Sequence, residues 1–93
     1  AGMFVIIATV DQKTGLLRKS PDIISRGFVY LKESQELLRH ARILIKKTVE
    51  QSYKNGDQVN LDNVKNMVAD TVAKYLYQKT AKSPIVIPVI LSF

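Results

Sequence analysis

The chain contains no cysteine, no tryptophan and a single histidine among its 93 residues. Without cysteine there is no disulfide staple and no thiolate zinc site. With His40 as the only imidazole, a histidine-based metal centre has no second ligand of its own kind. Of the acids, only Glu36 sits at helical spacing beside it, so a Ser-His-Asp arrangement has little to draw on. Acids are scarce as well, eight against 14 lysines and arginines, which leaves a net charge of +6. Asp11, Asp22, Asp57, Asp62 and Asp70 fall mostly at turns and helix caps, where short carboxylates do local structural work. No glycine-rich phosphate loop is present, no apolar run is long enough to cross a membrane, and no signal pattern opens the chain. An autonomous enzyme is therefore not expected. The missing cysteines are compatible with a reducing compartment, and a cytoplasmic location is expected.

What is present is an ordinary globular composition, 46% hydrophobic and 24% charged. The length suits one domain covering residues 1–93, and a domain this small leaves a thin stability margin. Ala1-Gly2-Met3 enters a strand-like run at once, which suggests a piece cut from a longer chain. The basic balance favours anionic partners, nucleic acid first.

MFVIIATV, residues 3–10, lacks strict alternation and reads as a strand apolar on both faces. DQKTG, residues 11–15, is a turn. A second strand starts at Leu16-Leu17 and continues weakly to Ile23-Ile24, with Pro21 interrupting it or marking an edge. Phe28 to Leu31 is a further short apolar piece. A helix is expected from an N-cap at Ser34, with Leu37, Leu38, Ala41, Leu44, Ile45, Thr48, Val49 and Ser52 on one stripe. Asn55-Gly56-Asp57 ends it. Asn60 caps a second helix whose stripe is Val64, Met67, Val68, Thr71, Val72, Tyr75 and Leu76, and Ser83-Pro84 closes it. IVIPVILSF is a last strand, held at an edge by Pro88. The fold class is α+β, a small three-stranded sheet with an antiparallel two-helix hairpin on one face, in the order β-β-α-α-β.

Two helices cover one face of a sheet. The first and last strands are apolar on both. The uncovered face would be a contiguous apolar patch, which monomers seldom expose, so another subunit or the rest of a parent chain is expected to cover it. On the first helix Arg39, Arg42 and Lys46 share the face opposite the apolar stripe, with Lys47 and Lys54 beside them. This strip is a candidate phosphate-tracking surface. Tyr53 and Tyr77 are the candidate stacking platforms, but no established RNA-binding signature accompanies them.

The run SPDIISRGFVY, residues 20–30, is the least generic in the chain. PDIISRGFVY followed by LKES and a long helix resembles the C-terminal domain of ribonuclease J, of the metallo-β-lactamase and β-CASP nuclease family. YLYQKTAKSPIVIPVI is similar to that domain's closing pattern, and FVIIATVDQKTG to its first hairpin. Ala81-Lys82-Ser83 stands where the family has a more basic run, which weakens a phosphate role there. The short interhelical segment also lacks the tryptophan often found nearby. The resemblance implies a parent enzyme that cuts RNA as a 5′-to-3′ exonuclease and an endonuclease through two zinc ions. The ligand motif H-x-H-x-D-H cannot be in this chain, so no catalytic residue, metal ligand or cofactor is carried over. The resemblance further implies a non-catalytic end domain that supports self-association and RNA engagement. Pro21, Asp22, Ser25, Arg26 and Gly27 are then architectural turn residues. The alternative is a free-standing basic RNA-binding module.

Overall fold

In a computed structural model, β1 (Met3–Val10) is the central strand of a three-stranded sheet of order β2-β1-β3. The structure describes residues 2–28, 31–54 and 59–93, the first four residues of the second segment in backbone only. The remaining elements are β2 (Asp22–Arg26), α1 (Leu31–Lys54), α2 (Leu61–Thr80) and β3 (Ile85–Ser92). β1 pairs antiparallel with β2, Met3 opposite Arg26 and Ile7 opposite Asp22. It pairs parallel with β3, Met3 opposite Ile85 and Val10 opposite Ser92. The sheet is therefore mixed, and the helical pair is the crossover that a parallel partner requires.

Period-two geometry sorts β1 into two rows. Phe4, Ile6, Ala8 and Val10 are buried against the helices. They meet Ala41, Ile45 and Val49 of α1, Val64, Val68, Val72 and Leu76 of α2, and Ile90 of β3. The Phe4 and Phe28 rings pack edge to face, 6.2 Å between centroids. Phe28, from the idiosyncratic run, is thus a core residue. The two helices are also tied directly, because the Tyr75 hydroxyl donates to the Leu37 carbonyl at 2.9 Å. Burial pushes the Tyr75 phenol above its ordinary range.

The connection from β1 to β2 is broken, as Pro21 requires. An isolated bridge joins Val10 to Leu17, and the chain then passes the buried Pro21 before β2 begins. The turn is wound on Asp11, whose carboxylate accepts the Lys13 and Thr14 amides at 2.8 and 3.1 Å. The Thr14 and then the Lys13 amide hold that carboxyl below its usual range. Gly15 closes the turn at φ +74°, and a Cβ there would lie 2.5 Å from the Tyr53 Cβ. Only glycine fits both the conformation and the gap.

Several boundaries differ from those read in the sequence. α1 begins at Leu31, so Ser34 lies inside the helix and is not its N-cap. The Ser-x-Glu pattern suits a helix start, yet the helix begins three residues earlier, since a favourable cap residue does not by itself fix a boundary. Asn55-Gly56-Asp57 lies outside the described residues. Asn60 caps α2 as expected, its side-chain oxygen accepting the Asp62 and Asn63 amides at 2.9 and 3.2 Å. α2 ends at Thr80, before Ser83-Pro84, with Ala81 in the left-handed region at φ 58°. Met67, placed on the core stripe, is 49% exposed, because Val64 and Val68 complete the buried row beside it.

Candidate functional site

Three surfaces carry the features that the sequence singled out. The first is the basic side of α1. Arg39 is held by Glu36, Nε to Oε1 at 3.0 Å and Nη2 to Oε2 at 3.3 Å, and its Nη2 also lies 3.0 Å from His40 Nε2. The Arg39 hydrogen bond and charge hold the Glu36 carboxyl below its usual range. Lys46 is held by Glu50 at 3.0 Å. Two of the three predicted phosphate contacts thus start from local pairs, which offset part of their charge. Arg42 is half-buried on the flank of the core stripe, and none of the ion pairs of the described residues involves it. Lys47 stands exposed nearer the centre of the polar face, where a helix turns its surface fully to water. Tyr53, a candidate stacking platform, is half-buried and abuts the Gly15 turn, whereas Tyr77 is exposed.

Glu50 does more than pair with Lys46. Its side chain is only 18% exposed, and its Oε2 accepts the Leu17 amide at 2.9 Å, fastening the β1–β2 connection to α1. Burial pushes this carboxyl up, but the Leu17 amide and the Lys46 ammonium outweigh burial and hold it below its ordinary range. A depressed carboxyl contributes stability that is present above its unfolded value of about 4.3 and is lost as pH falls through the folded value. Glu50→Gln is expected to destabilise the chain at pH 7 and to do so by less at pH 3. Urea midpoints of both proteins at the two pH values check this; an equal gap at both would refute it.

The second surface is the 21–27 run. Asp22, Ser25 and Arg26 do not form a turn: they belong to β2, because Ile23 and Ile24 pair with Ile6 and Val5 and draw the segment into the ladder. Pro21, buried, and Gly27, at φ +64°, bracket the strand. Asp22 pairs with Lys19 at 3.0 Å. The Ser25 hydroxyl points to the buried side without a partner among the described residues. Arg26 is exposed at the end of β2, and the ion pairs of the described residues leave it out.

The third surface is the sheet face turned away from the helices. Met3, Val5 and Ile7 of β1, Ile24 of β2, and Ile85, Ile87, Val89 and Leu91 of β3 share it by alternation. Ile85 is 63% exposed, and Phe93, just beyond β3, is 61% exposed. Asp22 and Arg26 stand at its polar rim on β2. This is the uncovered apolar face that strand alternation and helix count required, and it is larger in apolar content than scattered surface hydrophobics.

No group of three or more histidine, cysteine or acidic side chains is placed to hold a metal ion among the described residues. Of the helices described, none is long and apolar enough to cross a membrane. Sequence reasoning missed one feature: Leu16 and Ile43, both exposed, line one depression beside Lys46, Lys47 and Lys54. The signal was legible as an isoleucine interrupting the polar face of α1.

Comparison with known proteins agrees with the geometry. The chain matches the family model described as the ribonuclease J C-terminal domain over residues 1–93. It is 34% identical over 91 residues to ribonuclease J 1 of Streptococcus pyogenes, covering 98% of this chain and 16% of that protein. It is 36% identical over 89 residues to ribonuclease J 2 of Staphylococcus epidermidis and 35% identical to ribonuclease J 2 of Staphylococcus aureus. In both cases 96% of this chain and 16% of the relative are covered. The chain thus spans about one-sixth of the length of these curated relatives.

Proposed function

The chain belongs to the ribonuclease J C-terminal domain family, and on that premise we propose that it is the non-catalytic end domain of a ribonuclease J-like enzyme. The parent is then a metal-dependent 5′-to-3′ exoribonuclease and endoribonuclease of RNA processing and decay in the cytoplasm. Its two zinc ions belong to the remainder of that chain. The donor set here does not fit them, because a single histidine and no cysteine stand in the whole sequence. No step of RNA hydrolysis is assigned to these residues.

The role of the domain is self-association, and the observation that carries it is the open apolar face of the sheet. Exposed isoleucines and leucines on a pleated surface gain from burial against a like surface, at roughly 25 cal/mol per Å² removed from water. A second copy presents such a surface, and in a two-fold arrangement the patch is its own complement. The association test is developed in the Discussion.

RNA engagement is the second part of the role, and the net charge of +6 supports it. Arg39→Gln, Arg42→Gln and Lys46→Gln together are expected to weaken binding of a single-stranded RNA. They are expected to reduce the slope of log affinity against log salt by at most about 2. Two contacts start from ion pairs with Glu36 and Glu50, so the slope changes by less than three full phosphate contacts would give. Fluorescence anisotropy over a salt series measures this. An unchanged slope removes the α1 strip from the RNA path. Steep RNA binding by a chain that stays monomeric favours the alternative, a free-standing RNA-binding module.

A further inference from the structure

We propose that the depression between the β1–β2 connection and the outer side of α1 is a docking groove for an acidic peptide segment of a partner protein. A large apolar side chain of the peptide rests on Leu16 and Ile43, and its flanking carboxylates meet Lys46, Lys47 and Lys54. The groove is an open depression of about 630 Å³. Leu16 is 53% exposed and Ile43 is 52% exposed, and they provide its apolar floor.

Three observations point to this occupant. First, the floor is preorganised. The Leu16 carbonyl accepts the Asp11 amide at 2.9 Å, its own amide donates to Thr14 Oγ1 at 3.2 Å, and the next amide is held by Glu50. Gly15 is seated against Tyr53 on the other side. A leucine fixed in this way lowers the ordering cost of binding.

Second, the charge around the floor is one-sided. Among the described residues three lysines stand against one carboxylate, and that carboxylate is engaged: Glu50 Oε1 takes Lys46 and Oε2 takes the Leu17 amide. None of the ion pairs of the described residues involves Lys47 or Lys54. An apolar centre with a rim of one sign fits a hydrophobic anchor flanked by opposite charge.

Third, the floor is aliphatic. Among the described residues no aromatic ring lines the groove, and base stacking on single-stranded RNA relies on such rings. A phosphate strip alone gives no use to Leu16 and Ile43. This proposal goes beyond self-association; it shares Lys46 with the α1 strip and draws on Lys47 and Lys54, which lie beside that strip.

The test uses fluorescein-labelled peptides with one leucine, isoleucine, phenylalanine or tryptophan at the centre and three glutamates on either side. Anisotropy titration and amide chemical-shift mapping of the 93-residue chain report binding. At least one peptide is expected to bind, shifting the amides of residues 14–17 and 43–54 among the described residues. Leu16→Ser with Ile43→Ser is expected to weaken binding at least tenfold; both side chains are exposed, so the melting curve is retained. Lys47→Gln with Lys54→Gln is expected to weaken binding and flatten its salt dependence. Failure of all four peptides overturns the proposal, as does equal binding by the serine variant. Oligouridine that displaces the peptides and ignores the serine substitutions makes the groove an RNA site and overturns it too. Leu16 and Ile43 lie off the outer sheet face, so these outcomes are independent of whether the chain self-associates.

Discussion

Ile87→Asp combined with Leu91→Asp is expected to leave the fold intact and to weaken self-association at least a hundredfold. Both side chains lie on the outer row of β3, beside Val5 and Thr9 of β1 in the parallel register. Both are exposed in the isolated chain, so neither contributes to the core that Val86 and Ile90 join. In an associated pair of sheets they would be buried near the centre. Full burial of such a side chain stabilises by about 1.5–3 kcal/mol. An aspartate in its place carries a charge into a surface that would otherwise close over apolar side chains, and Arg18, the cation placed against Phe93, is already paired with Asp11 at 3.2 Å. Two substitutions therefore cost the complex at least about 2.7 kcal/mol, a factor of a hundred in affinity. Sedimentation velocity over a concentration series reads the association, and circular dichroism verifies the fold. A wild-type chain that sediments as a monomer at every concentration would sink the self-association reading. Variants that associate as strongly as wild type would move the interface away from this face.

Phe4→Ala is expected to cost about 3–5 kcal/mol, which in a domain of this size lowers the melting temperature by roughly 15–30 °C. Phe4 is fully buried on the central strand, edge to face with Phe28 and within the cluster that both helices close. Its removal takes away transfer free energy and leaves a cavity, because β1 is paired on both sides and does not collapse inward. The chain is small, and a net stability of about 5–15 kcal/mol leaves little reserve. Tyr77→Ala provides the contrast. Its ring is mostly exposed near the end of α2, and its loss is expected to stay within about 0.5 kcal/mol. Thermal and urea unfolding of the two variants checks the pair. A Phe4→Ala penalty as small as that of Tyr77→Ala would mean that the core is not organised around β1.

The residues make plain why some expectations held and others shifted. The row Phe4, Ile6, Ala8 and Val10 was legible because alternation along a strand is a covalent fact, whatever the fold. The α2 row Val64, Val68, Val72 and Leu76 was legible for the same reason at a period of 3.6. Asn60 was legible as a cap because its side chain bonds amides two and three residues away. The start of α1 was not, because a serine that suits a cap is also tolerated inside a helix, so its identity alone does not fix the boundary. The strand expected to run weakly to Ile23-Ile24 takes in Asp22, Ser25 and Arg26 as well, residues whose types point to a turn. Proline, aspartate, serine and glycine all favour turns locally, yet ladder bonds to β1 make Asp22–Arg26 a strand.

The sequence by itself determined the element order, the apolar rows, the Asn60 cap and the absence of any thiolate ligand, because each rests on residue identity or on spacing within a few positions. It also determined that one sheet face is left open, since two helices cannot cover both. Only the tertiary structure decided which edge each strand takes, that β3 runs parallel to β1, that Glu50 fastens a loop 33 residues away, and that Leu16 and Ile43 line one depression beside three lysines. These depend on contacts between distant positions, where many pairings satisfy the same local pattern. The choice among them falls to packing of the whole core.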